Sequence, residues 1–266
     1  MEYDDLLELA VAVAEEAAEL VRRRRREGVE VSGTKSSPVD IVTEVDKAAE
    51  RLIFERLMTA RPGDGFLGEE GASSESSTGV EWVVDPIDGT VNFVYGLPLY
   101  AVSVAATVGG ESVAGVVVNV ETAERFTATR GGGAYLGDRR LSLEPVDKPL
   151  SQRLVATGFN YLDRVKRAQT TAVSQMLHEV RDIRRLGSAA LDLCAVGAGR
   201  VDAYVEEGLN PWDMAAGGLV ATEAGAVLEK HVGVGGLDCF VCAPSHGFAD
   251  FADLVRRSGF LDERDA

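Results

Sequence analysis

Apolar side chains recur at Leu6, Leu9, Val13, Ala17 and Leu20. That is the spacing of one helix face, and it predicts a helix over 5–26 that stops at Gly28. The run Arg22 to Arg26 falls in its last turns, where cations complement the helix dipole. A second helix is predicted from Thr43, with Asp46 three residues on as a cap partner. It runs through Leu52, Ile53 and Leu57 to "RPG". The pattern then shifts to runs rich in Val, Ala and Thr, which predict strands at 82–84, 100–108, 112–119 and 124–129. Gly109-Gly110 reads as a hairpin turn. "GGGAYLGDRRL" and the Pro-bearing "EPVDKPL" break the periodicity.

Beyond residue 150 the rhythm becomes strand, helix, strand. Strands are predicted near 153–156, 181–186, 201–206, 226–229 and 239–242. Helices are predicted near 164–179, 188–198, 212–224 and 247–257. Such alternation implies a sheet covered by helices. The expectation is therefore two halves packed on each other: an antiparallel-rich α+β half over 1–145 and an α/β half over 146–266.

Composition narrows the functional classes. No apolar run approaches the length of a membrane span. The acidic start "MEYDDLLELA" does not resemble a secretory signal, and three cysteines make a sparse, odd set, so a reduced cytoplasm is expected. Twenty-seven basic against 43 acidic residues give a net charge of −16. That balance repels nucleic acid and anionic lipid at long range, and no aromatic residues interleave the Arg22 to Arg26 run, so neither partner is expected.

The candidate chemistry begins in "WVVDPIDGT", residues 82–90. An apolar strand ending at Asp85 delivers a carboxylate to the rim of a sheet. Pro86 forces a turn, which swings Asp88 back beside Asp85. Gly89 lets a ligand approach the backbone. Two carboxylates held close repel unless a cation or a proton lies between them, and a hard divalent ion with oxygen ligands resolves the conflict. A turn capped by aspartates explains the same residues, and this stretch alone leaves both readings open. Three other stretches add acids: "FLGEEG" with Glu69 and Glu70, "NPWDMAAGG" with Asp213 at a helix start, and "KSSPVDIVTEVDKAAE" with Lys35, Asp40, Thr43 and Asp46.

Taken together, "GEE", "WVVDPIDGT" followed by "NF", and "WDMAAGG" followed by "EAGA" resemble the inositol monophosphatase family of magnesium-dependent, lithium-sensitive phosphatases. The likeness runs from Lys35 to about Gly225. It implies a layered α-β-α-β-α sandwich of the sugar-phosphatase type, two or three Mg²⁺ ions, a small phosphorylated polyol as substrate and a homodimer. By the same resemblance Glu69, Asp85, the carbonyl of Ile87, Asp88 and Asp213 hold metal, while Thr90 and Asp46 orient the attacking water, with Glu69 also in the catalytic set. Gly89 and Thr90 offer N–H groups to phosphate, and Asp88 and Asp213 border the bound ester. Gly187, Ser188 and Ala189 match the loop facing the inositol ring, and Glu206 matches the acid that binds a ring hydroxyl. The expected reaction is direct in-line attack by water on inositol 1-phosphate, with no covalent phosphoenzyme.

The stretch departs from the family pattern at Val91 and Tyr95, where a histidine often follows, and at Asn210-Pro211, where another often precedes the late "WD". These positions are expected near the pocket mouth. Histidinol phosphate, fructose 1,6-bisphosphate and 3′-phosphoadenosine nucleotides are the alternative esters. A transcription-associated binding role is the non-catalytic alternative. The haloacid-dehalogenase-like signature has one residue fewer between its acids than "DPIDGT", which disfavours an aspartyl nucleophile. "CFVC" lies in an apolar strand-like run, so Cys239 and Cys242 are expected to be core residues, and His178, His231 and His246 receive no role.

Overall fold

The computed structural model describes residues 3–28, 31–34, 41–146 and 148–262. Lys35 and Asp40 lie outside the described residues.

Helix α1 (Tyr3–Glu27) buries Leu6, Ala10, Val13, Ala14, Ala17, Ala18 and Val21. Leu9 and Leu20 flank that stripe and are only partly covered. After the short antiparallel pair β1 (Val31–Thr34) and β2 (Ile41–Thr43) comes α2 (Glu44–Ala60). Thr43 caps α2 as expected: its hydroxyl accepts N–H groups of Val45 and Asp46, and Asp46 accepts the Thr43 N–H at 2.9 Å. Both helices pack on one face of an eight-stranded sheet.

That sheet contains β3 (Gly65–Gly68), β4 (Ser73–Ser74), β5 (Val80–Asp88), β6 (Ala101–Val108), β7 (Glu111–Asn119), β8 (Arg125–Thr129), β9 (Gly133–Leu136) and β10 (Arg139–Leu141), in spatial order β10-β9-β8-β7-β6-β5-β3-β4. Every pairing in it is antiparallel except β3 with β5. The hairpin β9–β10 falls in "GGGAYLGDRRL", where no strand was expected; its glycines supply the left-handed turns that hide strand periodicity. The side-chain alternation of β-strands splits this sheet between two cores. Val102, Val104 and Ala106 face α1 and α2, while Ala101 and Ala105 face the opposite layer.

The second half supplies β11 (Leu154–Thr157), β12 (Asp182–Arg184), β13 (Ala203–Glu207), β14 (Ala226–Val232) and β15 (Asp238–Pro244), ordered β12-β11-β13-β15-β14. Its first three strands are parallel and its last two antiparallel. Helices α5 (Ala189–Gly197) and α6 (Pro211–Glu223) lie between the two sheets, with Leu219 and Val220 against the first and Leu193, Val196 and Ala221 against the second. They cross closely at Gly217, where a Cβ would stand 2.7 Å from the Ala190 carbonyl. Helices α4 (Asp163–Leu177) and α7 (Phe248–Arg257) cover the outer face. The layers are thus α-β-α-β-α, the sandwich that the resemblance implied. Cys239 and Cys242 lie buried on β15, and burial pushes both thiols up, out of reactive range. Among the described residues no helix is long and apolar enough to cross a membrane.

Candidate active site

The parallel pair β3–β5 sets the first two acids side by side. Its register matches Gly68 with Val84, so the next residues, Glu69 and Asp85, leave the sheet together. The Glu69 N–H still donates to the Val84 carbonyl at 3.2 Å. At Asp85 the pairing with β6 slips, and it resumes only at Asp88. Pro86 and Ile87 stand against the single residue Val102, one residue in excess, and Asp85 Oδ1 accepts the Ile87 N–H at 3.0 Å, closing a tight turn. Gly89 then takes φ +94, and a Cβ there would meet the Leu99 and Gly187 carbonyls at 3.0 Å. The short helix α3 (Thr90–Tyr95) follows. Its Asn92 amide donates to the carbonyls of Leu99 and Leu186, each at 2.7 Å, which ties this turn to the loop before α5.

Asp88 receives two donors from the start of α5: the Ser188 hydroxyl at 2.6 Å and the Ala190 N–H at 2.7 Å. Asp213 is the third residue of α6, and its Oδ2 accepts the Asn210 N–H at 2.6 Å. Asp213 is thus the N3 partner in the capping box of α6, which does not exclude a second role. Asp85, Asp88 and Asp213 each bring a carboxylate oxygen within 4.8 Å of the others'. Glu69 lies beyond that trio but hydrogen-bonds to Asp85 through its side chain. Thr90 donates to Asp46 Oδ1 at 3.1 Å and to the Ile87 carbonyl at 3.0 Å, while Asp46 itself is fully buried on α2.

Burial dominates the electrostatics. It pushes the Asp85 carboxyl well above the usual range, and the charges of Glu69, Asp88 and Asp213 add to the rise. Asp213 is raised by burial and by Asp88 and Glu69. Asp88 is also raised by burial, against the pull of Ser188 and Ala190. Two carboxyls in hydrogen-bond contact need a proton or a cation between them. The donors gathered here are all oxygens; no His or Cys stands among them. This set fits a hard divalent cation such as Mg²⁺ and does not suit zinc.

A cavity of about 750 Å³ opens from these acids. Glu69, Asp85, Ile87, Asp88, Gly89, Thr90 and Asp213 line it, together with Gly187, Ala189 and Glu206. Ser188 does not reach its wall: it is buried beneath, holding Asp88 and capping α5 through the Leu191 N–H. Val91 and Tyr95 do not line the cavity, and Tyr95 is 77% exposed, so the expectation that they border the mouth fails; Asn210 does border it. Helix α3 carries Tyr95 about one and a half turns beyond the Gly89–Thr90 turn, which is why sequence proximity misleads here.

Sequence reasoning missed several residues. Among the described residues, Arg185 is the single lysine or arginine in the wall. Glu50, one helical turn after Asp46, accepts the N–H groups of Glu70 at 2.7 Å and Ala72 at 2.9 Å and so fixes the "GEEG" loop. Its i+4 spacing from Asp46 was the available signal. Trp212, from the "WDMAAGG" stretch, lines the cavity too, as do Glu207 and Asp238, which nothing local in the sequence marks.

Comparison with known proteins agrees with this geometry. The model of the inositol monophosphatase family matches residues 2–238. A Mycobacterium tuberculosis protein named inositol-1-monophosphatase SuhB is 48% identical over 275 residues, covering 96% of this chain and 94% of its own. A Vibrio cholerae relative, 39% identical over 230 residues and 86% of each chain, is named Nus factor SuhB. The crystal structure of the extragenic suppressor protein SuhB from Bartonella henselae superposes with a TM-score of 0.87 at 35% identity, covering 95% of this chain and 99% of its own. The chain belongs to the inositol monophosphatase family and is a phosphoric monoester hydrolase.

Proposed function

We propose that the chain is a Mg²⁺-dependent phosphatase of myo-inositol monophosphates, with inositol 1-phosphate as its substrate. The observation that carries this reading is the convergence of Asp85, Asp88 and Asp213 within 4.8 Å at a cavity that Glu69 and Thr90 also line. Glu69, Asp85, the Ile87 carbonyl, Asp88 and Asp213 would hold two or three ions. Bound there, Mg²⁺ supplies positive charge that offsets the phosphate and activates water.

The residues of the chain do the rest. Thr90 Oγ1 takes a proton from the attacking water while its own passes to Asp46 Oδ1, along the 3.1 Å hydrogen bond that links them. The N–H groups of Gly89 and Thr90 hold phosphate oxygens in the turn that enters α3. Glu206, which accepts the Tyr204 hydroxyl at 2.8 Å, takes a hydroxyl of the ring, and Gly187 and Ala189 pack beside it. Ser188 keeps Asp88 in place from behind.

Hydrolysis of inositol 1-phosphate, histidinol phosphate, fructose 1,6-bisphosphate and 3′-phosphoadenosine 5′-phosphate, compared by kcat/KM with Mg²⁺, tests the substrate. Preference for any ester but the first overturns the inositol assignment. Chelation should abolish turnover and Mg²⁺ restore it, with lithium inhibiting. The name of the Vibrio relative favours a second reading, a transcription-associated binding protein. Turnover that survives neither purification nor added Mg²⁺ would support that reading instead. The resemblance also carries a homodimer, and sedimentation of a monomer at micromolar concentration would remove it.

A further inference from the structure

Strand β13 ends in two adjacent acids, and strand alternation sends them to opposite faces. Glu206 turns toward Tyr204 and overlies Gly158, where a Cβ would stand 2.0 Å from its Oε2. Glu207 turns the other way and has no part in the reaction proposed above. It is 1% exposed. Its Oε1 accepts the Leu237 N–H at 3.0 Å, and the Gly235 N–H also bonds to the carboxylate. Its Oε2 is buried and has no partner among the described residues.

The loop it holds is "GVGGL", residues 233–237, between β14 and β15. The chain wraps the carboxyl so closely that a Cβ on Gly233 would lie 2.2 Å from Glu207 Cδ, and one on Gly235 2.8 Å from Oε1. Helix α4 completes the clamp. Arg164 donates to the Gly235 carbonyl at 2.6 Å. Gln169, fully buried, donates to the Glu207 carbonyl at 3.1 Å and accepts the Asn160 N–H at 2.9 Å. Asn160, Gly236, Leu237 and Asp238 all line the cavity. The loop has two backbone bonds of its own, from the Gly233 N–H to the Leu237 carbonyl and from the Gly236 N–H to the Gly233 carbonyl, but its glycines leave it many conformations that side-chain ties must narrow. A buried carboxylate is a costly way to fill space, and an aliphatic side chain would serve packing alone. What the carboxylate adds is a fixed acceptor for the loop N–H groups of Leu237 and Gly235.

We propose that Glu207 is a specificity-determining positioning residue: it fixes the 233–237 loop as the wall against which the alcohol part of the ester packs, and so sets which polyol phosphates are accepted. This rests on the phosphomonoesterase reading above. The phosphate end hangs from other elements, the β5–α3 turn and the start of α6, so Glu207 acts on ester discrimination and not on phosphate chemistry.

The test compares Glu207→Met with Glu207→Gln, whose amide keeps an acceptor for the loop. The readout is the ratio of kcat/KM for the preferred polyol ester to that for p-nitrophenyl phosphate, which has no polyol. Glu207→Met should lower the ratio on the order of tenfold, through KM. It should leave kcat on the aryl ester and the Mg²⁺ half-saturation unchanged. Glu207→Gln should stay within about twofold of wild type. Amide exchange over the 233–237 loop should speed up in the Met variant only. An unchanged ratio in Glu207→Met, or an equal fall on both esters, overturns the proposal. If Glu207→Met does not fold, Gly235→Ala, which presses on the same carboxyl, reads the same ratio. A wild type that prefers an ester other than inositol 1-phosphate sinks the inositol assignment and leaves this test standing on the preferred ester. One that hydrolyses none of them sinks both.

Discussion

The turn from Asp85 to Thr90 and the loop from Gly233 to Leu237 both border the cavity, yet the side chains that fix them come from different places. The first is held largely by its own side chains: Asp85 accepts the Ile87 N–H and Thr90 donates to the Ile87 carbonyl, while Asp88 and Thr90 also reach out to α5 and to Asp46 on α2. The second has backbone bonds of its own, from the Gly233 N–H to the Leu237 carbonyl and from the Gly236 N–H to the Gly233 carbonyl, each 2.8 Å, but the side chains that tie it down belong to Glu207 on β13 and Arg164 on α4. A contiguous motif therefore supplies Asp85, Asp88 and Thr90 at the end of the site that carries the acids, and Glu69 and Asp213 join it from the end of β3 and from α6. The remaining wall is assembled by tethers between residues far apart in the chain. Damage to the first should destroy turnover, and damage to the second should redistribute it among esters.

The largest effect should come from Asp88→Asn. The amide keeps the shape and its contacts with Ser188 and Ala190 but removes a charge from the trio. Turnover should fall on the order of a thousandfold or more, the several kcal/mol that a metal centre contributes. Thermal unfolding without Mg²⁺ should show a fold at least as stable as wild type, because a buried like charge is gone. Near-normal turnover at saturating Mg²⁺ would refute the metal assignment.

A smaller, differently shaped effect is expected at Gly158→Ala. The new Cβ would lie 2.0–2.1 Å from the Glu206 carboxyl group, so that side chain must swing away. KM for the polyol ester should rise on the order of tenfold while kcat on p-nitrophenyl phosphate holds. Equal losses on both esters would place Glu206 with the acids instead of with the alcohol-facing wall. Ser188→Ala sits between the two regions. It removes a donor to Asp88 and the α5 cap, so stability should drop by about 1 kcal/mol and the Mg²⁺ requirement rise about tenfold. A stability loss with no change in Mg²⁺ half-saturation, measured by calorimetric titration, would leave Ser188 with the cap alone.

The same contrast explains what the sequence revealed. Long periodic segments such as α1 and α4, and the strands β6 and β7, are legible because one face of each is buried and the spacing records it. Asp85 and Asp88 are legible because the turn that unites them spans only a few residues, while the part given to Thr90 came from the resemblance. Glu69 and Asp213 were reached through resemblance; the register of β3 with β5 and the capping box of α6, which put them near Asp85, cannot be read from spacing. The wall tethers were not legible at all. Nothing near Glu207 announces that a loop about thirty residues later will fold around it, and the hairpin β9–β10 hid behind the glycines that make its turns.

The smallest expected effect lies far from both regions and asks whether the layers themselves depend on charge. Arg200, just beyond α5, makes a two-pronged contact with Glu124 ahead of β8, one prong being Nη1 to Oε2 at 2.8 Å. Its guanidinium also lies 5.6 Å from the centre of the Phe126 ring. The Arg200 hydrogen bond holds the Glu124 carboxyl below its ordinary range. A depressed carboxylate contributes stability above its unfolded pKa and loses it as pH falls through the folded value. Arg200→Gln should therefore cost less than about 1 kcal/mol at pH 7, since both side chains are partly solvated. That corresponds to roughly 2 °C in Tm, and the gap from wild type should narrow as the pH is lowered below about 4. A gap that stays constant with pH would assign the stabilisation to the cation–ring contact with Phe126, which does not titrate in that range. In either case kcat and KM should be unchanged, because neither residue borders the cavity.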